Sequence, residues 1–325
     1  GGVGRVIVDR LQVDDGSQGR SKQLSVGPGA PTPMPAWVFA DGRRWSGTHT
    51  TFVVYNPGAA PAEVALAVRV DQSDEDIEPL VATVLPGEYA RLGLDEGGRV
   101  PLRSAYWAAV QSRNGEPIVV ERVMRPATDE ERRAEAEDAS ALDDPHDEAG
   151  HGHDDDASAG TSSGSPSATG TSSSSNDADD PYAKVERVSS SITLGLPITA
   201  RQWIVPAGGR DGFAASAVAI TNLGDVSVTL TITAIADGQA TRIAAFDQVT
   251  LDPGRRTGLA LDGDLPGPDA HRLLVVEADG PIVVAQVVLF DQPVAAVSSF
   301  GAIAVRDSVA SMPAAVLSRA SSSPV

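Results

Sequence analysis

The chain repeats itself. Trp37 in AWVFADG and Trp203 in QWIVPAG lie 166 residues apart, as do Asn56 in VVYNPG and Asn222 in AITNLG. Pro86-Gly87 matches Pro253-Gly254 at an offset of 167, and Pro117 in EPIVVERVM matches Pro281 in GPIVVAQVV at 164. Landmarks that keep step this closely mark a duplication, which constrains the fold more than any local motif does: both halves must bury equivalent residues in equivalent ways. A blurred third copy of the closing strand stands at Gly4–Leu11, GRVIVDRL.

Each half reads as an all-β unit. EVALAVRV (63–70) and TLTITAI (229–235) alternate with period two, as half-buried strands do. LVATVL and AAFDQVTL are the expected return strands, leading to the Pro-Gly turns. Then come YARLGL and RTGLAL, a longer connection, AYWAAVQS and RLLVVEA, a turn at Gly115 or Gly280, and the PIVV strand. Short strands separated by turn signals at this spacing make a β-sandwich. The chain is 41% hydrophobic but only 4% aromatic, so its cores must be built from Val, Ala, Leu and Ile. Such a composition, punctuated by Gly and Pro, favours strands over helical bundles.

Between the halves lies different material. From Pro126 to Asp180 there are 16 Asp and Glu against 2 Arg, so this stretch carries −14 of the formal −19. TDEERRAEAEDASAL (128–142) has Thr128 and Glu131 in capping-box spacing, which predicts a helix start. Its apolar residues are almost all Ala, so the helix has little to bury and is expected to fray. The following DDPHDEAGHGHDDDASAGTSSGSPSATGTSSSSNDADDP is too polar to offset its ordering entropy. As a flexible coil it would separate its ends by about 40 Å. The expected architecture is all-β: two tandem Ig-like antiparallel β-sandwich modules joined by a disordered acidic linker. The expected boundaries are 1–30 (end of a preceding, truncated module and an opening strand), 31–125 (first module), 126–180 (linker), 181–305 (second module, opened by KVERVSSSITLGLP) and 306–325 (flexible tail).

Function classes narrow quickly. There is no Cys, hence no disulfide and no thiolate metal site. Arg and Lys are scattered rather than gathered on one face, which argues against nucleic acid as a partner. No apolar run has the length of a membrane-spanning helix, so no membrane contact is expected of these residues. The opening GGVGRVIVDR is neither a start Met nor a signal peptide and reads as the middle of a strand, as in a piece of a longer protein whose export signal or anchor lies upstream.

Individual motifs have mostly structural readings. Trp37 and Trp203 are either sugar-stacking platforms or packed indoles bonded to a carbonyl, and the second fits a sandwich better. Asn56 and Asn222 end strands before a turn, where Asn bonds its own backbone. DQSDEDIE (71–78) lacks the Gly and terminal Glu of a calcium loop, and its counterpart in the other half is a plain Asp-Gly hairpin tip, ADGQATR; it reads as a solvated turn with weak cation binding at best. His146, His151 and His153 with Asp154, Asp155 and Asp156 have no rigid frame to hold a metal. GGRDG (208–212) lacks the Gly-Lys-Ser/Thr of a phosphate loop. Outside the linker only His49 and His271 remain, they do not recur at equivalent positions, and no Gly-x-Ser-x-Gly occurs. No catalytic, cofactor or metal residue is nominated, and no enzyme activity is expected. TSSGSPSATGTSSSS (161–175) is similar in composition to O-glycosylated stalks.

The series W-V-F-A-D-G, N-P-G before a Val-rich strand, L-P-G and closing P-I-V-V-E-R-V-M resembles a repeat of exported actinobacterial envelope proteins, a family of unknown function. The resemblance covers roughly 35–125 and 200–290. The second half departs from it at Leu223, in place of Pro after Asn, and at Ala285-Gln286 in place of Glu121-Arg122. It implies β-sandwich units, export and no described catalytic residues. The expectation is therefore a non-catalytic extracytoplasmic protein, anchored through an upstream segment, acting as a scaffold or display module. The alternative is a module binding cell-wall polysaccharide through loops 41–48 and 207–213 to assist envelope glycan assembly. The expected partners are a cell-wall glycan or another envelope protein.

Overall fold

The computed structural model describes residues 9–15, 22–45, 47–71, 73, 75, 77–94, 99–133, 190–207, 213–261, 265, 272–290, 296–305 and 309–310. It begins with an antiparallel pair, β1 (Asp9–Asp15) and β2 (Lys22–Pro28). The first half follows: β3 (Ala36–Phe39), β4 (Thr48–Tyr55), β5 (Ala62–Val70), β6 (Leu80–Val84), β7 (Tyr89–Gly93), β8 (Tyr106–Ser112) and β9 (Val119–Pro126). The second half holds β11 (Thr199–Pro206), β12 (Phe213–Asn222), β13 (Val228–Ala236), β14 (Gln239–Arg242), β15 (Val249–Leu251), β16 (Arg256–Ala260), β17 (Leu273–Phe290), β18 (Ala296–Gly301), β19 (Ile303–Ala304) and β20 (Val309–Ala310). Between them lies β10 (Ser191–Leu194).

In the first half two sheets face each other, β3-β8-β5-β6 and β10-β9-β4-β7. Trp37, Phe39, Val64, Leu66, Tyr106 and Val110 of one meet Phe52, Val54, Leu92 and Val120 of the other in a single buried cluster. Phe39 and Phe52 close it edge to face, with centroids 5.0 Å apart. The inward residues of β4 alternate with its half-exposed ones, as a one-sided strand requires.

The duplication holds at the level of single pairs. Trp37 stands opposite Val110, and Trp203 opposite Val276. Val64 faces Ser112, and Leu230 faces Ala278. Met34 bridges Ile118, and Ala200 pairs with Ile282. The two halves are thus sandwiches of one design.

Two local expectations fail, each for a stated reason. No turn forms at Gly280. Ser112 and Ile118 flank residues 113–117, which include the left-handed Gly115, whereas Ala278 and Ile282 flank only 279–281. The second half is too short there for a loop, so β17 runs unbroken from one sheet into the other, pairing with β11 and β13 first and with β12 and β18 afterwards. Gly280 is needed at the crossing, since a Cβ would lie 2.6 Å from Val228 Cγ1. AAFDQVTL, likewise, is not one strand: a 3-10 turn at Ala244–Phe246 precedes β15. The Asp-Gly tip forms as read, with Asp237 and Gly238 both at positive φ between β13 and β14, the geometry of a two-residue hairpin.

The strand expected to open the second half belongs to the first. β10, assigned by sequence to the opening of the second module, pairs antiparallel with β9: Ser191 opposite Met124, Ile192 opposite Val123, Thr193 opposite Arg122 and Leu194 opposite Glu121. It completes the first sandwich, and only residues 195–198 lead from it into β11. β1 and β2 have the same register at equivalent residues, with Gln12 opposite Ser25, Leu11 opposite Val26, Arg10 opposite Gly27 and Asp9 opposite Pro28. Residues 127–190 are therefore an insertion in a hairpin connection, and both of its ends leave the same sheet edge. Of the expected linker, residues 134–180 lie outside the described residues, as does most of the tail from 306.

Exchanging residues 134–189 for a turn of about six residues should leave both sandwiches folded. It should raise stability by up to about 2 kcal/mol through reduced loop-closure entropy. Urea unfolding measures this, and a loss of more than about 1 kcal/mol would show that the excised stretch contributes packing.

Candidate functional site

The residues that recur in both halves come first. Trp37 and Trp203 are fully buried. The Trp37 indole N–H donates to Ile118 O at 2.7 Å, and that of Trp203 to Ala200 O and Ile282 O, each at 3.1 Å. Neither ring offers a face to a sugar, so the stacking-platform reading is overturned. The two Asn residues make one bond set twice. Asn56 Nδ2 donates to Ala60 O and Val84 O, both 2.8 Å, and its Oδ1 accepts from Gly58 N–H at 2.9 Å. Asn222 Nδ2 donates to Val226 O at 2.8 Å and Leu251 O at 2.9 Å, and its Oδ1 accepts from Gly224 N–H at 2.9 Å. Each amide therefore ties a strand end to its turn and to a strand of the other layer, β6 or β15, with no donor left for a ligand.

The first sandwich also buries a charge. Arg122 is 1% exposed and donates to the carboxylate of Asp41 at 3.1 Å and to the Asp41 backbone oxygen, with its guanidinium 5.6 Å above the Phe39 ring. Burial works against its charge, but Asp41 and the neighbouring Tyr106 prevail and hold its pKa above the ordinary arginine value. At the equivalent positions the second half has Ala207, Gln286 and Arg272. Gln286 there reaches Ser216 Oγ at 3.5 Å. Gln286, one of the departures noted in sequence, is thus a second solution to filling the same interior space.

At the edge of that sandwich the capping box forms as read: Thr128 N–H donates to Glu131 Oε2 at 2.7 Å, and Glu131 N–H donates to Thr128 Oγ1 at 3.2 Å. Helix covers 129–133. Arg125 grips the Glu131 carboxylate through both nitrogens at 2.9 and 2.7 Å. These bonds, Arg125 foremost, outweigh partial burial and hold the Glu131 carboxyl far below the usual carboxylate range. His49 Nε2 lies 3.4 Å from the same carboxylate.

The junction between the sandwiches is the site that sequence reading missed. Val38, Ala40, Trp107 and Ala109, on the outer face of β3 and β8, form one buried cluster with Leu223, Val283 and Ala285 on the outer face of the second half, with Leu196 packed against it. Trp107 Nε1 donates to Gly254 O at 2.9 Å, and Thr221 Oγ1 to Ala40 O at 3.2 Å. Arg256 pairs with Asp71 at 2.6 Å, and Arg255 donates to Ser73 O at 3.3 Å. These bonds rim a half-open crevice of ≈ 310 Å³ lined by Val70, Asp71, Gly254, Arg255 and Arg256. Asp71, at the start of DQSDEDIE, is therefore a clamp point, while Glu75 and Glu78 further along are exposed. The signal lay in AWVFA and YWAAV, apolar without alternation, as strands covered on both faces are.

The loops proposed as a glycan face fare differently. In 41–48, Asp41, Gly42, Trp45 and Thr48 are buried, Arg43, Arg44 and Gly47 are half-buried, and Arg44 N–H donates to Ser104 O at 3.0 Å. Residues 208–212 of the other loop lie outside the described residues, as do His146, His151, His153 and Asp154–Asp156. Among the described residues no group of three or more His, Asp or Glu is arranged to hold a metal. No described helix is long and apolar enough to cross a membrane.

No known protein family and no curated protein matches the chain. Several solved structures overlap part of it, two of them as follows. The Thermotoga maritima protein 1070 is 22% identical over 30% of this chain and 84% of its own, with a TM-score of 0.25. The Anabaena sensory rhodopsin transducer is 23% identical over 34% of this chain and 96% of its own, with a TM-score of 0.23. Likeness at this level carries no argument about function.

Proposed function

We propose that the chain is a non-catalytic structural or interaction unit of a bacterial envelope, held outside the cytoplasm, in which two Ig-like sandwiches act as one body. A cell-wall glycan or another envelope protein is the partner this reading implies. The observation that carries it is the use made of the recurring residues. Trp37, Trp203, Asn56 and Asn222 are what the duplication keeps, and all four are spent on internal bonds. The junction then fixes one sandwich on the other through apolar packing and an Asp71–Arg256 ion pair. A duplicated unit that retains framework residues and fixes its own geometry suits presentation of surfaces at a set distance and angle.

The test is made in intact cells of the organism that produces the protein. Protease added from outside should cut the chain within 134–189 and leave the two sandwiches as a resistant core. A chain cut only after the cells are broken would overturn the envelope assignment.

A further inference from the structure

We infer that the outer face of β4, β7 and β9 in the first sandwich seats a third sandwich of the same design, carried by the same polypeptide ahead of β1 and closed by β1 and β2. The hairpin itself points to it. Asp9, Arg10, Leu11 and Gln12 stand opposite Pro28, Gly27, Val26 and Ser25. Glu121, Arg122, Val123 and Met124 stand in the same way opposite Leu194, Thr193, Ile192 and Ser191, so β1–β2 closes a sandwich as β9–β10 does. The exit from the hairpin is equivalent too. Ala30, at the position of Leu196, packs on the core of the first sandwich as Leu196 packs on that of the second. β2 lies on β10 as β10 lies on β18, with Ile192 N–H donating to Ser25 Oγ at 3.0 Å. The step from one sandwich to the next is thus made between the halves and made again between the hairpin and the first half.

The hairpin lacks what β9–β10 has around it. β9 pairs with β4 on its other side, whereas among the described residues β1 pairs with β2 alone. Arg10 holds the position of the sealed Arg122, yet its side chain is 45% exposed, and Leu11 and Val13 are 61% and 67% exposed. An open-edged pair of strands that carries apolar side chains into water needs a cover.

The face beneath is equally unfinished. The hairpin covers its β9–β10 side, where Gly27 leaves room for Ile192 and Arg10 holds Glu121. Further across, Tyr55 stands opposite Tyr89 and Val119 as Thr221 stands opposite Arg256 and Val283. Thr221 and Val283 are sealed under the first sandwich, while Tyr55 and Tyr89 are 42% and 62% exposed. The occupant is a sandwich because two of its strands are already in place, in the register and on the strand that the internal junction uses.

Tyrosine nitration read by mass spectrometry tests this on the polypeptide purified from the producing organism and on the same polypeptide shortened to start at Gly1. In the shortened chain Tyr55 and Tyr89 should be nitrated and the buried Tyr106 spared. In the unshortened polypeptide both should react at least about tenfold more slowly, since a packed interface excludes the reagent. There Tyr89→Asp should speed nitration of Tyr55 at least about threefold, with Tyr106 still spared as the sign of an intact sandwich. Should Tyr106 react in that variant, Tyr55→Asp read at Tyr89 takes its place. Equal reactivity of Tyr55 and Tyr89 in the two chains, a natural polypeptide with no further sandwich ahead of β1, or a folded variant that leaves the remaining Tyr protected would each overturn the proposal.

Discussion

Replacing Asp41 with Ala is expected to cost the first sandwich about 3–5 kcal/mol, because it leaves the Arg122 guanidinium buried without a counter-charge. Domains of this size have about 5–15 kcal/mol in total, so the change should leave the first half close to its unfolding midpoint at ordinary temperature. The duplication supplies the control. Asp41→Ala combined with Arg122→Gln recreates the Ala207 and Gln286 arrangement of the other half, and should cost less than the single change although it removes more interactions. Urea unfolding of the wild type, both single variants and the double gives the coupling directly. If Asp41→Ala cost under about 1 kcal/mol, Arg122 would have to reach water, and the reading of a sealed ion pair would be wrong.

Asn222→Ala should be nearly as damaging. It strips partners from Val226 O, Leu251 O and Gly224 N–H together, and buried backbone groups left unpaired cost about 1–3 kcal/mol each before relaxation. A net loss of about 3 kcal/mol is expected, and Asn56→Ala should match it within about 1 kcal/mol because its bonds are the same. Asn222→Asp separates bonding from size. A carboxylate still accepts from Gly224 N–H but sets negative charge against two carbonyl oxygens, so it should rescue nothing. Thermal and urea unfolding of the three variants decide the matter; an Asp variant as stable as wild type would mean that the amide donors do not matter.

The duplication made most of the fold legible. Period-two alternation locates β5 and β13, and the Pro-Gly and Asp-Gly signals locate turns, because one-sided strands and tight turns write their geometry into local sequence. The capping box at Thr128 was equally readable, since its chemistry is confined to four residues. The indole of Trp37 and the amide of Asn56 make the kind of bond their sequence positions imply, although their partners, Ile118 O and Val84 O, lie far along the chain.

What escaped was non-local. β10 lies beyond a long insertion from its partner β9, and no local pattern states which strand an edge will accept. Asp41 and Arg122 are 81 residues apart, and each looks like an ordinary surface residue until β9 brings the guanidinium under the 41–48 loop. The junction left only a composition trace, the unbroken apolar runs of β3 and β8.

β17 gives the second half a mechanical property that the first half lacks. Its 18 residues belong to both layers of the sandwich, so tension entering one layer passes to the other along a single unbroken strand. Stretched between its ends, the second half should yield in one abrupt step. The first half, where residues 113–117 can give before either layer does, should lengthen in two.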